Sequence, residues 1–550
     1  MRKRHNASAL TDKKKIDVPT PFDGGTKNNS DSEASWKRAF YFCLAARIVN
    51  SLVVQTYFNP DEHWQSLEVA HRLVFGYGHL TWEWKRGIRS YLHPLLFAVL
   101  YKFLAFLHLD TPWFMVKAPR LLQSIFAAIC DLYLFKLSDI IFGKQVAKWT
   151  LFSHLTNWFV FFCCTRTLSN SLETALTVVS LYYWPCIRGS CGKFPSNSRR
   201  WALAIAAFAC AVRPTSAIIW LYVGLIELLT SSDRLKFVFL EAAPIGAVVL
   251  AITSLLDRII YGSWIIVPFN FLKFNFLSSG GDYYGTHPWH WYLIQGFPVM
   301  LFTFLPFSIA GIIYSKQWKL SGLIGWVIGI YSVLGHKEFR ASSSHTKWPS
   351  KLRLAVVFLV ATNIPMALYM SLVHQRGSED VMHYLAMEAT KGEVKSVLFL
   401  TPCHATPYYS TLHQNLPMRF LDCTPSEERG TLDESDRFML DPHGFASAFA
   451  KNWSLPSHIV LFDSEEKKLK DFLLSHSFRE VKRFFHAHFK AYQVELEALA
   501  LKLEEENEQL QREKAERTKQ RFKQLMEKVV PVVEKRRPPR VLRRVRSSEW

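Results

Sequence analysis

Two adjacent carboxylates, Asp61 and Glu62, lie in the heptapeptide NPDEHWQ at residues 59–65. They follow the first long apolar run of the chain and open a polar, aromatic stretch that contains Arg89 and His93. Carboxylates and imidazoles are groups that proteins use to take up and release protons. Beside a segment long enough to cross a bilayer, they predict acid and base chemistry at a membrane surface.

A sugar transfer that inverts the anomeric carbon needs a carboxylate to take the proton from the acceptor hydroxyl. Asp61 beside a membrane-embedded donor meets that need. A second interpretation is compatible with the first, because one helical face carries apolar residues that predict docking at the interface, namely Leu67, Ala70, Leu73 and Val74. One face can dock while the loop carries the base.

A second group of polar residues follows a later apolar run, in the sequence HKEFR at residues 336–340. Cationic or titratable side chains surround one carboxylate there, and the set is His336, Lys337, Glu338 and Arg340. Such groups suit a phosphate leaving group or pairing with the acids of the first loop. The alternative is an ordinary positive flank of a membrane span.

The composition predicts a polytopic, mainly helical membrane protein. Of 550 residues, 49% are hydrophobic, 15% aromatic and only 20% charged, and the charges concentrate in the two tails. Apolar runs approach the roughly 20 residues that span a bilayer. The predicted spans are 37–57, 93–109, 112–137, 147–165, 169–187, 201–229, 235–257, 290–314, 317–335 and 352–374.

The charge pattern orients the chain. The net charge of +20 comes largely from basic clusters at residues 2–15 and 535–546. These clusters are typical of span orientation and do not favour nucleic-acid binding. The first cluster keeps the N-terminus in the cytosol, so Asp61 is expected on the luminal side. Of the nine cysteines, Cys403 and Cys423 could pair if their segment is luminal.

Ionisable residues inside the apolar region are a further signal, because burying them in lipid is costly. They are Lys117, Arg120, Asp131, Arg166, Glu173 and Arg213. Singly, each is best interpreted as a paired or interfacial residue; together they indicate polar surfaces that face a cavity. Arg213-Pro214-Thr215 predicts a helix end or kink. The aromatic segment 262–292 fits an interfacial belt or, alternatively, a sugar- or lipid-recognition loop.

Composition divides the chain into four parts. Residues 1–35 are predicted to be a disordered cytosolic tail, and 36–375 the membrane domain. Residues 376–490 alternate short apolar runs with turns and predict a small soluble α/β domain. In 491–550, Leu496, Leu503 and Leu510 are spaced by seven around Asn507, which predicts a zipper-like helix before a basic tail.

Five motifs carry a family resemblance. They are NPDEHWQ, YLHP at 91–94, HKEFR, LVHQRG at 372–377 and PCHATPYYSTLH at 402–413. Together they resemble the dolichol-phosphate-mannose-dependent mannosyltransferases of the endoplasmic reticulum, glycosyltransferase family 22 type, and most closely the GPI mannosyltransferases that add the third mannose. The resemblance covers about residues 36–489. It implies the C-type glycosyltransferase fold and an α-1,2 mannose transfer from dolichyl phosphate mannose to a mannosylated GPI-lipid at the luminal face.

Residue by residue, the resemblance implies that Asp61 is the general base and that Glu62 assists it. Substrate contacts are expected from His63, Gln65, Arg89, His93, His336, Lys337, Glu338 and Arg340. No metal or other cofactor is expected, because the donor carries one phosphate that cationic side chains can stabilise.

Two departures from the family pattern stand out. The family continues after its second motif with another apolar span, whereas here Arg340 is followed by ASSSHTKWPSK. The tail 491–550 resembles the C-terminal end of plant bZIP transcription factors, but His486 and Phe478 stand where the basic-region Arg and Asn would fall. The leucine spacing predicts self-association through 491–528. Because the basic-region residues do not match, we expect no specific DNA binding. The alternative function is an inactive membrane fusion product with a zipper tail.

Overall fold

A computed structural model of the chain describes residues 25–185, 198–277, 288–333, 352–424, 432–452 and 454–488. The chain divides into two compact units, Met1–His486 and Ala487–Trp550. Nearly all described residues belong to the first unit. The HKEFR motif at 336–340 and the zipper-like segment 491–550 lie outside the described residues.

The first unit is mainly helical. Its first helices are α1 Gly25–Val53, α2 Pro60–Glu62, α3 Glu68–Phe75, α4 Trp82–Lys85, α5 Leu92–Phe106, α6 Pro112–Phe142, α7 Lys144–Thr156, α8 Trp158–Cys163 and α9 Ser169–Tyr183. The next are α10 Ser198–Val212, α11 Ala217–Thr230, α12 Ala243–Tyr261, α13 Val267–Leu272, α14 Phe297–Leu301, α15 Leu305–Ser315, α16 Trp318–Val333 and α17 Leu352–Leu372.

Short π-helical and 3-10 segments join several of these helices. The π-helical segments are His63–Leu67, Lys236–Ala242, Lys273–Leu277 and Tyr292–Gly296, and the 3-10 segments are Pro214–Ser216 and Phe302–Phe304. His63–Leu67 connects α2 to α3, so the NPDEHWQ motif enters one continuous helical stretch.

Among the described residues, three helical stretches are long and apolar enough to cross a membrane: Lys236–Tyr261, Tyr292–Ser315 and Leu354–Thr390. Leu92–Phe106 and Pro214–Thr230 are shorter apolar helices. These elements confirm the prediction of a mainly helical, multi-pass membrane protein.

Several predicted spans are interrupted at recognisable residues. The predicted break at Arg213-Pro214-Thr215 is confirmed, because α10 ends at Val212 and α11 begins at Ala217. The predicted span 147–165 is divided at Asn157, whose side-chain oxygen caps α8 by accepting a hydrogen bond from Val160 N.

The predicted disordered tail also needs a correction at its end. Helix α1 begins at Gly25 and therefore includes residues 25–35, which the composition placed in that tail. Once the apolar part of a helix is formed, each added residue costs little, so α1 extends into the polar segment before it.

The last part of the first unit is an α/β domain, as predicted. Its three parallel strands are β1 Val397–Leu400, β2 Met418–Phe420 and β3 His458–Leu461, in the order β2-β1-β3. Its helices are α18 Gly377–Thr390, α19 Tyr409–Leu412, α20 Glu434–Leu440, α21 Pro442–Asn452 and α22 Asp463–Ser475. Crossover helices are the usual connection between parallel strands.

The central strand β1 is buried on both faces. Leu398 and Leu400 pack in one cluster with Phe438 of α20 and residues of α22. Val397 and Phe399 point the other way, as side chains alternate along a strand. Their cluster contains α18 residues and also Trp64 of the NPDEHWQ motif, so the first loop supplies part of the core of the α/β domain.

Candidate active site

The sequence Asn59-Pro60 places the two carboxylates at the start of a helix. Asn59 is extended, and its Oδ1 accepts a hydrogen bond from Asp61 N at 2.7 Å. Pro60 occupies the first helical position, where no backbone donor is needed. Asp61 and Glu62 therefore fall in the first turn, where negative charge is favoured by the helix dipole.

Asp61 is the more open of the two carboxylates. Its side chain is 22% exposed, and Oδ1 lies 3.8 Å from Nη2 of Arg89. Arg89 is 24% exposed and also lies 3.7 Å from Oε1 of Glu83. Asp61 is thus reachable from solvent and has a cation close by.

Glu62 is fully buried and points away from that surface. Its Oε2 accepts a hydrogen bond from Arg166 Nη1 at 2.7 Å, and its Oε1 accepts one from Arg120 Nε at 3.2 Å. Burial alone would raise the pKa of Glu62, but Arg166 and Arg120 together hold that pKa below its usual value. The carboxylate stays ionised.

The adjacent residues Asp61 and Glu62 therefore lie in different environments, one partly exposed and the other buried. The sequence predicted catalysis for both carboxylates and substrate contact for His63. The His63 ring stacks on Tyr57 with centroids 5.4 Å apart, and His63 Nε2 lies 3.3 Å from Glu379 Oε1. At 1% exposure, His63 lies behind Asp61 in the protein interior.

Gln65 belongs to a polar group beside Asp61. Its Nε2 donates a hydrogen bond to Glu83 Oε1 at 2.8 Å, and its Oε1 accepts one from Trp84 Nε1 at 2.9 Å. Glu83 also faces Arg89. The structure therefore brings Asp61, Gln65 and Arg89 together, with Glu83 as the residue between them.

The C-terminal end of α12 forms hydrogen bonds to Arg89 and to the two residues after it. The hydroxyl of Tyr261 donates a hydrogen bond to Arg89 O at 2.8 Å. Asp257 Oδ1 accepts hydrogen bonds from Tyr91 N at 2.9 Å and Ser90 Oγ at 3.1 Å. Sequence reasoning missed both residues; the only available signal was an acidic residue, Asp257, at the end of a predicted span.

His93 is not joined to this group by a contact among the described residues. It lies in α5 with 5% exposure, and its ring meets Phe97 edge-on at 5.2 Å. Within the part of the chain that the structure describes, its Nε2 has no hydrogen-bond partner. The substrate contacts predicted for His336, Lys337, Glu338 and Arg340 fall on residues outside the described ranges and stay predictions.

Trp64 connects the motif to the α/β domain. It is 1% exposed, and its Nε1 donates a hydrogen bond to Thr406 O at 2.9 Å. Its ring stacks on Tyr408 at 5.0 Å and contacts His404 at 4.3 Å. Two motifs separated by more than three hundred residues are therefore packed against each other.

Two further contacts join the same segments. Glu68 Oε1 accepts a hydrogen bond from Ser410 N at 2.8 Å, and His71 Nε2 lies 3.1 Å from His413 Nδ1. The residues 402–413 thus contact the first loop at several points along α3.

The predicted cysteine pair is present. Cys403 and Cys423 form a disulfide. His404 lies beside them, and the three side chains are close enough to form a metal-binding group, but the disulfide engages both sulfurs. A disulfide at this place suits an oxidising compartment.

Most of the ionisable residues of the apolar region lie in ion pairs, as expected for charges at low dielectric. Arg47 Nε and Asp131 Oδ2 are 2.7 Å apart, and His154 Nε2 lies 3.2 Å from Asp131 Oδ1. Arg213 Nε lies 3.7 Å from Glu173 Oε2. In the aromatic segment 262–292, Trp264 and Trp289 are 71% and 68% exposed, as in an interfacial belt.

Comparison with known proteins identifies relatives over most of the chain. The profile of the Alg9-like mannosyltransferase family matches residues 38–413. Mannosyltransferase APTG1 of Arabidopsis thaliana is 62% identical over 535 residues, which cover 89% of this chain and 96% of that protein. GPI alpha-1,2-mannosyltransferase 3 of Danio rerio is 42% identical over 468 residues, 82% of this chain and 86% of that protein.

Among solved structures, ArnT from Cupriavidus metallidurans, crystallised with undecaprenyl phosphate, aligns with a TM-score of 0.39 and 12% identity. The alignment covers 65% of this chain and 64% of that one.

Proposed function

Since the chain belongs to the Alg9-like mannosyltransferase family, we propose that it transfers mannose from dolichyl phosphate mannose to a mannosylated GPI-lipid, in an α-1,2 linkage and as the third mannose. Relatives at about 40% identity that are named GPI alpha-1,2-mannosyltransferase 3 support this substrate class. The chain spans most of their length, so the proposal concerns the whole enzyme.

The proposed place is the luminal face of the endoplasmic reticulum membrane. The long apolar helices support the membrane setting. The Cys403–Cys423 disulfide supports an oxidising compartment for the α/β domain. Trp64 of the first loop packs against that same domain.

The difference in exposure between Asp61 and Glu62 is the observation on which the proposed mechanism rests. Asp61 is partly exposed at 22%, whereas Glu62 is fully buried between two arginines. A general base must reach the proton that it removes. We assign that role to Asp61, and Glu62 supports it from the interior.

In the proposed reaction, the acceptor hydroxyl oxygen attacks the anomeric carbon while Asp61 takes its proton. The bond from the anomeric carbon to the phosphate oxygen breaks, and its electron pair leaves with dolichyl phosphate. Cations near the developing phosphate charge lower the barrier. Arg89 lies on the same side as Asp61, and His336, Lys337 and Arg340 are proposed for this role on the resemblance.

The remaining predicted contacts are also proposals. Gln65 and Glu83 form a polar wall beside Asp61, which suits the hydroxyl groups of a sugar. Glu338 and His93 are proposed to contact substrate on the resemblance, and the buried His63 to act indirectly. The donor phosphate is proposed to be stabilised by protein cations without a metal or another cofactor.

Complementation of cells that lack GPI mannosyltransferase 3 tests the function, with surface display of a GPI-anchored protein as the readout. The wild-type chain should restore display. Asp61→Asn should not, because a positioned general base is worth about 10²- to 10⁴-fold in rate. The matched control is Asp233→Asn, which removes an exposed carboxylate from a loop after α11 and should restore display like the wild type.

Expression and membrane insertion are measured for each variant. If the wild-type chain is present in the membrane but restores nothing, the alternative of an inactive membrane protein is correct. If Asp61→Asn restores display at the wild-type rate, Asp61 is not the base.

The tail from residue 491 to 550 carries a separate proposal. Its leucine spacing and the Asn507 position support self-association as a coiled coil through 491–528. Its resemblance to the end of plant bZIP factors supports an origin by fusion. Neither proposal changes the assignment of the catalytic residues, because the profile match ends at residue 413.

A further inference from the structure

Four buried charges lie behind Asp61. Glu62 is held by Arg120 and Arg166. Nη2 of Arg120 also lies 2.7 Å from Oε1 of Glu379. Each of these four side chains is at most 2% exposed. Two carboxylates and two guanidinium groups sum to zero, which is the condition under which charges are tolerated at low dielectric.

This buried charge cluster, defined as Glu62, Arg120, Arg166 and Glu379, is also bonded to the chain just before the NPDEHWQ motif. Arg166 donates to Thr56 O at 2.6 Å and to Thr56 Oγ1 at 2.9 Å. Arg120 Nη1 donates to Val54 O at 3.1 Å.

The two arginines therefore bind the polypeptide on both sides of Asp61. One side is the carbonyls of Val54 and Thr56, and the other is the carboxylate that directly follows Asp61. The arginines come from different places, since Arg120 lies in α6 and Arg166 follows α8. The position of Asp61 is thus set by helices of the membrane domain.

Glu379 extends the cluster to the α/β domain. It lies in α18, whose residues Met382 and Leu385 pack in the core cluster around Val397. Besides Arg120, Glu379 also faces the imidazole of His63. A displacement of α18 would therefore be transmitted to the residues next to Asp61.

We propose that the buried charge cluster is a positioning device for the general base, and that Glu379 is the residue through which the α/β domain takes part in it. This inference rests on the proposed function. Glu62 in this scheme touches no substrate; it fixes Asp61 against the acceptor hydroxyl.

A double-mutant cycle on Arg120 and Glu379 tests the charge balance. Arg120→Met leaves one net negative charge buried, and Glu379→Gln leaves one net positive charge. The double variant returns the sum to zero and keeps the pair of Glu62 with Arg166. We expect each single variant to lose about 10- to 100-fold in kcat per folded enzyme, with KM changed less, and the double variant to recover most of this loss.

Folding is measured separately by thermal unfolding in detergent, so that kcat refers to folded enzyme only. If single variants keep wild-type kcat per folded molecule, the cluster is merely structural. If the double variant loses the product of the two single losses, the charges act independently and the proposal is wrong.

Arg166→Lys covers the case in which the single charge deletions do not fold. Lysine keeps the positive charge but cannot bond Glu62 and Thr56 together, because it lacks the planar fork of donors. We expect a folded enzyme with kcat reduced about 10-fold or more. The matched control is Arg47→Lys, in the equally buried pair with Asp131, which should keep wild-type kcat per folded molecule.

Wild-type turnover by Arg166→Lys would overturn the inference. The wild-type chain and Asp61→Asn separate this failure from failure of the proposed function. An inactive wild-type chain rejects the function itself, whereas an active chain with unaltered kcat in the cluster variants rejects the positioning role alone.

Discussion

Replacement of Glu68 by glutamine should make the protein more stable at pH 8 and change little at pH 5. Glu68 lies in α3 with 0% exposure, and its Oε1 accepts the hydrogen bond from Ser410 N. Its Oε2 has no hydrogen-bond partner among the described residues. Burial raises the pKa of Glu68 to about 7, although the hydrogen bond from Ser410 opposes the shift.

The direction of the change in stability with pH follows from proton binding by the folded and the unfolded chain. The folded pKa of about 7 lies above the usual value of 4.5. As the pH rises from 4.5 to 7, the unfolded chain has lost its proton while the folded chain still holds it, so stability falls. Each pH unit between the two values corresponds to about 1.4 kcal/mol, so the loss is about 3 kcal/mol above pH 7. Glutamine keeps an acceptor for Ser410 N and does not ionise.

Thermal unfolding in detergent between pH 5 and pH 8 measures this difference. The wild-type Tm should fall relative to that of Glu68→Gln by about 2–3 °C over this range. Comparing the two proteins at each pH removes the contributions of other titrating groups. Glu393→Gln, at an exposed position after α18, is the control and should follow the wild type. Parallel curves for wild type and Glu68→Gln would refute the argument.

The remaining predictions concern Trp64 and the C-terminal tail. Trp64→Ala removes a fully buried ring and should destabilise the packing of the first loop on the α/β domain by about 3–5 kcal/mol, whereas Trp64→Phe should cost less. Limited proteolysis and Tm would rank the two variants. Equal resistance of Trp64→Ala and wild type to proteolysis would contradict this packing. Removal of residues 491–550 should leave complementation unchanged and lower the number of chains per detergent-solubilised particle. An unchanged number of chains per particle would count against zipper association.

The local form of the NPDEHWQ motif could be predicted from sequence. Asn59 and Pro60 are residues that start helices, and the structure has a helix beginning there. The break at Arg213-Pro214 and strand β1 at Val397–Leu400 could likewise be predicted from local residue types. Local chemistry was sufficient because a cap, a proline or a short apolar run acts within a few residues.

The different environments of Asp61 and Glu62 could not be predicted in this way. It depends on Arg166 and Glu379, which are 104 residues and more from Glu62. The sequence indicated Arg166 only as a charge in an apolar region, and it gave no partner. Which of two adjacent carboxylates is buried is decided by the packing of distant helices.

The same limit applies to Trp64. Its tryptophan ring adjoins a predicted amphipathic helix, and Leu67 and Ala70 of that helix are buried as expected while Leu73 is 39% exposed. The contact with Thr406, 342 residues away, has no counterpart in the local pattern. Only the joint occurrence of the two motifs suggested that they belong together.

The packing of Trp64 also bears on whether the first loop and the α/β domain lie on the same side of the membrane. The sequence lacks an apolar span after Arg340, which predicts either an α/β domain in the cytosol or a rearrangement of neighbouring helices. Trp64 is 1% exposed within the core of that domain, so the first loop and the domain lie on the same side of the membrane.

A cytosolic α/β domain would require either Trp64 to leave this core or the first loop to be cytosolic as well. The first alternative exposes a buried indole and breaks its hydrogen bond to Thr406, and the second conflicts with the orientation that the basic residues 2–15 predict. The disulfide between Cys403 and Cys423 is stable in an oxidising compartment. These constraints support the proposal that the α/β domain and Asp61 share one face of the membrane.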